Sequence, residues 1–204
     1  QVERFISLGC DVVCINPVDR TNAAVVIDKA MAAQVPVVFF NRQPVEEDMD
    51  RWDQLYYIGI DAKESAVLQG TILVEQYKKN PRLLDRNGDG VVSYVLLEGE
   101  SSHQDAVIRT EWAIRTLKDH GVPVEKLTGG IANWERSQAS ALMEQWLEAY
   151  PDQIELVISN NDDMALGALD AYSKLNYTES ALPVFFGIDG TDAGLEAVMD
   201  SEIA

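Results

Sequence analysis

Two short segments carry oxygen- and nitrogen-bearing side chains in an order that suits metal or polyol chemistry. In Asp85-Arg-Asn87-Gly-Asp89-Gly-Val91-Val-Ser93, oxygen-bearing side chains stand at positions one, three, five and nine, glycine stands at six, and Val91 offers its carbonyl at seven. That spacing reproduces the first nine residues of the EF-hand calcium loop, in which a hard cation takes oxygen ligands around a sharp glycine turn. Position twelve, where such a loop supplies a bidentate Glu, is Leu96 in an apolar run. A standard EF-hand is therefore excluded, and a carboxylate has to arrive from elsewhere. The competing reading is a polar turn rich in Asx residues that holds no metal.

The second segment is His103-Gln-Asp105-Ala-Val-Ile-Arg109. Asp105 and Arg109 stand four residues apart and share one face of a helix. They set a carboxylate and a planar guanidinium fork toward vicinal hydroxyls, with His103 donating beside them; as plain structure they are a capping segment with an exposed ion pair. His with Asp also invites a hydrolase reading, but no Gly-x-Ser-x-Gly, His-Glu-x-x-His or Cys-x-x-Cys accompanies them, and no enzyme is expected. Trp134, in Gly129-Gly130-Ile-Ala-Asn-Trp134-Glu, falls where a glycine loop is expected to enter a helix. Its ring either packs against the core or offers a flat apolar surface to a pyranose CH face. Trp52, Trp112 and Trp146 are read as structural.

Short apolar, β-branched runs position these segments. They cover residues 10–16, 35–41, 56–61, 91–99, 154–160 and 183–189, and each ends in a polar residue or a turn. Helical patterns over 21–34, 63–79, 104–120, 135–150, 164–175 and 192–200 follow them. The alternation predicts an α/β fold, mostly parallel sheets with helices on both faces. Ligands of such sheets sit outside the carboxyl ends of the strands. Here those ends carry Asn16, Asn41, Asp61, the 100–105 segment, Asn160-Asn161-Asp162 and Asp189. Asn and Asp are also ordinary turn formers and helix caps; gathered at strand ends, they suit a ligand rich in hydroxyl donors. The acidic stretch 45–50 reads as a solvated loop. A hinge is expected near 58–63, dividing a first lobe (1–60) from a second (61–204).

The 204 residues carry 16 Lys and Arg against 34 Asp and Glu, a formal charge of −18, with 47% hydrophobic residues. Such a chain can bury a core, and its negative surface disfavours nucleic acid and anionic membrane surfaces, which need basic clusters. No apolar run approaches the roughly 20 residues that span a bilayer, and Gln1 opens into an amphipathic segment without a signal-peptide pattern. That leaves either a cytosolic protein or a processed or truncated product. Cys10 and Cys14, roughly 13 Å apart if both lie in one strand, are too distant for a disulfide and read as small buried hydrophobes.

Taken together, the segments 37–41, 56–65, 85–93, 94–105, 154–162 and Phe186-Gly-Ile-Asp189 resemble the galactose/glucose-binding proteins, periplasmic partners of sugar transporters and chemoreceptors. The resemblance implies two Rossmann-like lobes (the type I periplasmic binding protein fold), with a monosaccharide, D-glucose or D-galactose, held in the cleft between them. It implies Asn41, His103, Asp105, Arg109, Asn161 and Asp189 as sugar ligands and Trp134 as a stacking face. It also implies a structural Ca²⁺ held by Asp85, Asn87, Asp89, Val91, Ser93 and the distant Glu155, although the family usually has Gln where Ser93 stands. The implied partners are an ABC permease and a chemoreceptor. The implied state is a monomer, periplasmic or lipid-anchored at the cell surface. Against the family pattern the chain lacks the first strand–helix–strand unit and a late Asn contact, so a fragment with an incomplete site and an exposed sheet edge is expected. The alternative is the sugar-responsive core of a regulator of the lactose-repressor type, which needs a basic DNA-reading domain upstream.

Overall fold

The computed structural model describes residues 1–200; the last four residues of the expected second lobe, 201–204, lie outside the described residues. The chain divides into two units, Gln1–Asp61 with Ser102–Gln104, and Ala62–Ser101 with the chain from Asp105 onward.

The first unit runs α1 (Val2–Ser7), β1 (Val13–Ile15), α2 (Ala23–Ala33), β2 (Val37–Phe40), α3 (Glu46–Met49) and β3 (Leu55–Ile58). Its three strands are parallel in the order β1-β2-β3. Period-two alternation turns Val37, Phe39 and Leu55 inward, where Ala23, Ile27 and Ala30 of α2 close over them. The opposite face presents Cys14, Phe40, Tyr56 and Ile58 to the surface, Ile58 with 67% exposure. Cover on both faces, expected from the alternation, is thus absent from this sheet among the described residues. The cysteine reading is corrected as well. Cys10 precedes β1 and is half-buried, and Cys14 points outward from the strand. The acidic stretch taken for a loop is the short helix α3, with Glu46, Glu47 and Asp48 in its first turn, where carboxylates favour the amino end.

The second unit contains α4 (Ala62–Lys79), β4 (Val92–Glu98), α5 (Gln104–Asp119, whose first residue groups with the first unit), β5 (Val124–Ile131), α6 (Arg136–Ala149), β6 (Leu156–Ser159), α7 (Asp162–Lys174), β7 (Val184–Phe186) and α8 (Asp192–Met199). Its parallel sheet has the order β5-β4-β6-β7, and its central strands β4 and β6 are buried on both sides. Val95, Leu97, Val157 and Phe185 face a core with Met143, Trp146 and Met164. Tyr94, Leu96, Leu156, Ile158 and Phe186 face the other, with Leu73 of α4 and Leu117 of α5. The helices approach closely where a side chain is missing. A Cβ on Gly70 would lie 2.6 Å from Thr116 Cβ, and one on Gly167 would lie 2.1 Å from the Arg136 carbonyl.

Strand β5 has no counterpart among the expected runs, and Gly129 and Gly130, expected in a loop, are strand residues paired with Leu96 and Leu97. Trp146 is buried in the core, while Trp52 and Trp112 pack at core margins, Trp112 beneath Lys63 and Arg115. No helix among the described residues is long and apolar enough to cross a membrane.

Candidate functional site

The segments that follow the carboxyl ends of β6 and β7 converge on one guanidinium. Arg109, on α5 and 5% exposed, donates from Nη1 to the Asn160 carbonyl at 2.7 Å and to Asp189 Oδ1 at 3.3 Å. Its Nε is buried and has no hydrogen-bond partner among the described residues. The carboxylate beside this Nη1 is therefore that of Asp189 rather than that of Asp105, which lies one helical turn earlier, half-buried. The Trp134 ring lies 5.9 Å from the guanidinium carbon, and its plane is accommodated by Gly99, where a Cβ would come within 2.2 Å of the indole. Asn161, 7% exposed, caps α7 by accepting from Met164 N at 3.0 Å, and its Nδ2 points to the Trp134 carbonyl at 3.5 Å. Arg109, Trp134, Asn161 and Asp189 thus form one connected cluster.

Two of these four residues carry backbone strain. Within this cluster Trp134 and Asp189 have positive φ, at 67° and 117°, and in the first unit Asn41 has φ of 62°, a region that residues other than glycine seldom occupy. The Asp189 turn is held by Asp162, whose Oδ2 accepts from Thr191 N at 2.8 Å. Its carboxylate fills the room left by Gly187 and Gly194, where an added Cβ would lie 2.4 and 2.5 Å from its oxygens. Burial pushes the Asp189 carboxyl up from its ordinary range; Arg109 pulls it down, and Asp162 and Asp163 add to the rise.

Asn160 and Asp162, expected only as members of the polar strand-end set, and Gln69, which the sequence does not single out, hold the loops. Asn160 Oδ1 accepts from Gly99 N at 3.0 Å, tying β4 to β6. In the first unit, Asn41 follows β2 with an exposed side chain, and its carbonyl accepts from the Tyr57 hydroxyl at 3.1 Å. His103 is buried, 5% exposed, in the short segment that groups with that unit.

The Asp85–Ser93 loop lies at the other end of β4. Asp85 Oδ1 and Oδ2 accept from Gly88 N at 2.7 Å and Gly90 N at 3.2 Å, and Asn87 Oδ1 and Asp89 Oδ1 accept from Asp89 N and Val91 N. Glu155, 3% exposed, reaches this loop from the start of β6. Its Oε1 accepts from Arg86 N and Asn87 N at 2.7 and 2.9 Å, and its Oε2 from Ser93 N at 2.9 Å. Among the described residues no three His, Cys, Asp or Glu side chains form a metal-binding group. The donor chemistry nevertheless suits a hard cation, because each accepting oxygen has a second lone pair and the set is all oxygen.

Over residues 1–204 the sequence matches the model of the periplasmic binding protein domain. The chain belongs to that family. It is 38% identical, over its whole length, to the D-galactose/methyl-galactoside binding periplasmic protein MglB of Haemophilus influenzae, and covers 60% of that protein. It is 35% identical to a putative rhizopine-binding protein of Rhizobium meliloti, of which it covers 62%. An ABC transporter solute binding protein of Bacillus halodurans, solved with bound myo-inositol, superposes with a TM-score of 0.79 at 30% identity, over 99% of this chain and 64% of that one. A Mycobacterium smegmatis protein in complex with β-D-fucofuranose gives a TM-score of 0.83 at 26% identity, over 99% and 62%. These neighbours share the type I periplasmic binding protein fold of parallel sheets flanked by helices. The chain spans about three fifths of the length of the curated relatives it matches.

Proposed function

We propose that the protein containing this chain is a non-catalytic solute receptor that captures a hexose, D-galactose or D-glucose, at the carboxyl ends of its strands and presents it to an ABC permease. Asn41, His103, Asp105, Arg109, Asn161 and Asp189 hydrogen-bond the hydroxyls, and Trp134 covers a sugar face. The observation that carries this reading is the buried Arg109, held by Asp189 and the Asn160 carbonyl with Nε left over for a ligand oxygen. An unmatched donor in a buried position costs about 1–3 kcal/mol, which a sugar hydroxyl relieves. The 38% identical relative, named for D-galactose and methyl-galactoside binding, points to the same ligand class.

In the same reading the receptor is a monomer in the periplasm or lipid-anchored at the cell surface, and a chemoreceptor is a second partner. The Asp85–Ser93 loop, with Glu155, holds Ca²⁺ as a structural ion that stabilises the folded state by binding it alone. The test is calorimetric titration of the full-length polypeptide with D-galactose, D-glucose, D-ribose and myo-inositol, repeated on Asp105→Ala. Saturable binding of a hexose by the wild type, lost in the variant, supports the proposal. Near-wild-type affinity in Asp105→Ala removes that residue from the site, and failure of every hexose removes the hexose assignment.

A further inference from the structure

Helix α4 turns an apolar stripe inward with Ala66, Gly70, Leu73 and Val74, and one polar side chain interrupts it. Gln69 is 4% exposed. A buried amide on an apolar face is costly unless its donors are matched, and Gln69 matches them in an uncommon way. Its Nε2 lies 3.1 Å from the Ser159 carbonyl, 3.1 Å from the Gly187 carbonyl and 3.5 Å from the Phe186 carbonyl. The two N–H groups thus reach the last residue of β6 and the end of β7 together. Ser159 immediately precedes Asn160 and Asn161, and Gly187 stands two residues before Asp189. The Ser159 hydroxyl also donates to the Asn161 carbonyl at 2.8 Å. One amide therefore bridges the two strand ends that carry Arg109's acceptors, in addition to the β6–β7 ladder and the bond from Asp162 N to the Ile188 carbonyl.

We infer that Gln69 is a positioning residue for the sugar-binding cluster, acting on Asn161 and Asp189 through the β6 and β7 carbonyls rather than by touching the ligand. This rests on the proposed carbohydrate site. Ile158 and Phe186 anchor the two strands in the core and Asp162 N donates to the Ile188 carbonyl at 2.8 Å; Gln69 adds the side-chain bond that spans both ends, and a ligand that bonds both ends at once is sensitive to small changes in their separation. A residue that only fills space at this position is replaceable by an apolar side chain of the same volume; a residue whose two N–H groups bond the carbonyls of both strand ends is not.

The test uses the full-length polypeptide, Gln69→Met and Gln69→Glu, and the tightest binder among D-galactose, D-glucose, D-ribose and myo-inositol, titrated from pH 5 to pH 8 with melting curves alongside. Gln69→Met is expected to weaken binding at least about fivefold at every pH, since both donors are gone. Gln69→Glu is expected to bind weakest at pH 8, where a carboxylate faces carbonyl oxygens, and to recover toward wild type as the pH falls and a protonated carboxyl regains an O–H donor. Asp162, Asp189 and Arg109, the ionisable groups at these strand ends, are common to all three proteins, so the ratio of variant to wild type is the readout. Affinity of Gln69→Met within twofold of wild type overturns the inference, as does a Gln69→Glu ratio that does not move with pH. If Gln69→Met fails to fold, the Gln69→Glu series decides alone. Absence of binding by the wild type overturns the carbohydrate site and this inference together, whereas binding by the wild type with unaffected variants overturns the role of Gln69 only.

Discussion

Arg109 and Asp189, eighty residues apart in sequence, meet at 3.3 Å beyond the carboxyl edge of the second sheet, the guanidinium nearly fully buried and the carboxylate partly open to solvent. The pair is asymmetric. Arg109 has a second acceptor in the Asn160 carbonyl, while Asp189 is held in a backbone conformation with φ of 117° and has its carboxyl pushed up by burial. A strained, partly desolvated acid beside a fixed cation is arranged for a ligand more than for stability.

Replacing Asp189 with Asn is expected to separate function from stability. Its native pKa lies above the ordinary value of 3.8, so between the two values the native state binds more protons than the unfolded chain, and stability falls as pH rises through that interval. Asp189→Asn removes this penalty. Its thermal stability relative to wild type should be higher at pH 7 and converge with it below about pH 3.8, while affinity for the proposed sugar ligand drops about ten- to a hundredfold. Melting curves at both pH values, paired with titration calorimetry, read both effects.

Gly99→Ala is expected to move the indole of Trp134, whose ring would lie 2.2 Å from the new Cβ. Overpacking of this kind costs about 1–3 kcal/mol. The expected results are a lower midpoint in urea, a shifted tryptophan emission and weaker binding of the proposed sugar ligand. Unchanged emission would show that Trp134 accommodates the methyl group without moving.

Glu155 receives three backbone N–H groups of the 85–93 loop, so Glu155→Gln should destabilise the fold by about 1–3 kcal/mol even without metal. If the loop takes Ca²⁺, a chelator lowers the melting temperature of the wild type and leaves that of Glu155→Gln nearly unchanged. A wild-type melting temperature indifferent to chelation would remove calcium from the reading and leave Glu155 as a purely structural brace.

Gly167→Ala tests the packing of α6 on α7, where the new methyl would lie 2.1 Å from the Arg136 carbonyl. Because that neighbour is backbone, relief requires a helix to shift, and a loss of about 2–3 kcal/mol in denaturant unfolding is expected. Affinity for the proposed sugar ligand, measured below the unfolding transition, should be little altered, since Gly167 lies inside α7, away from its first turn.

Most strands were legible because β4, β6 and β7 are buried on both faces and read as continuous apolar runs. Strand β5 was not, and the reason is its place at the sheet edge: Glu125, Lys126, Thr128 and Gly129 meet solvent, and only pairing with β4 makes them a strand. Asp189 and Asn161 were legible as polar residues ending apolar runs. Gln69 was not, because its partners are main-chain carbonyls 90 to 118 residues away, and a carbonyl has no letter in a sequence. The pairing of Arg109 with Asp189 instead of Asp105 escaped for a similar reason: four-residue spacing marks which side chains share a helix face, but a tertiary acceptor can outcompete a local one.

The first sheet, covered by α2 on one side and showing Phe40, Tyr56 and Ile58 on the other, bears on how this polypeptide behaves in the test tube. A β-rich, apolar, low-charge surface is a template for self-association. Handled as these 204 residues, the molecule should precipitate first through that surface, and its earliest amide protons to exchange should be those of β1 to β3, while the doubly covered β4 and β6 stay protected longest. Charged substitutions at Tyr56 and Ile58, which reach no core side chain, are the direct way to keep it monodisperse.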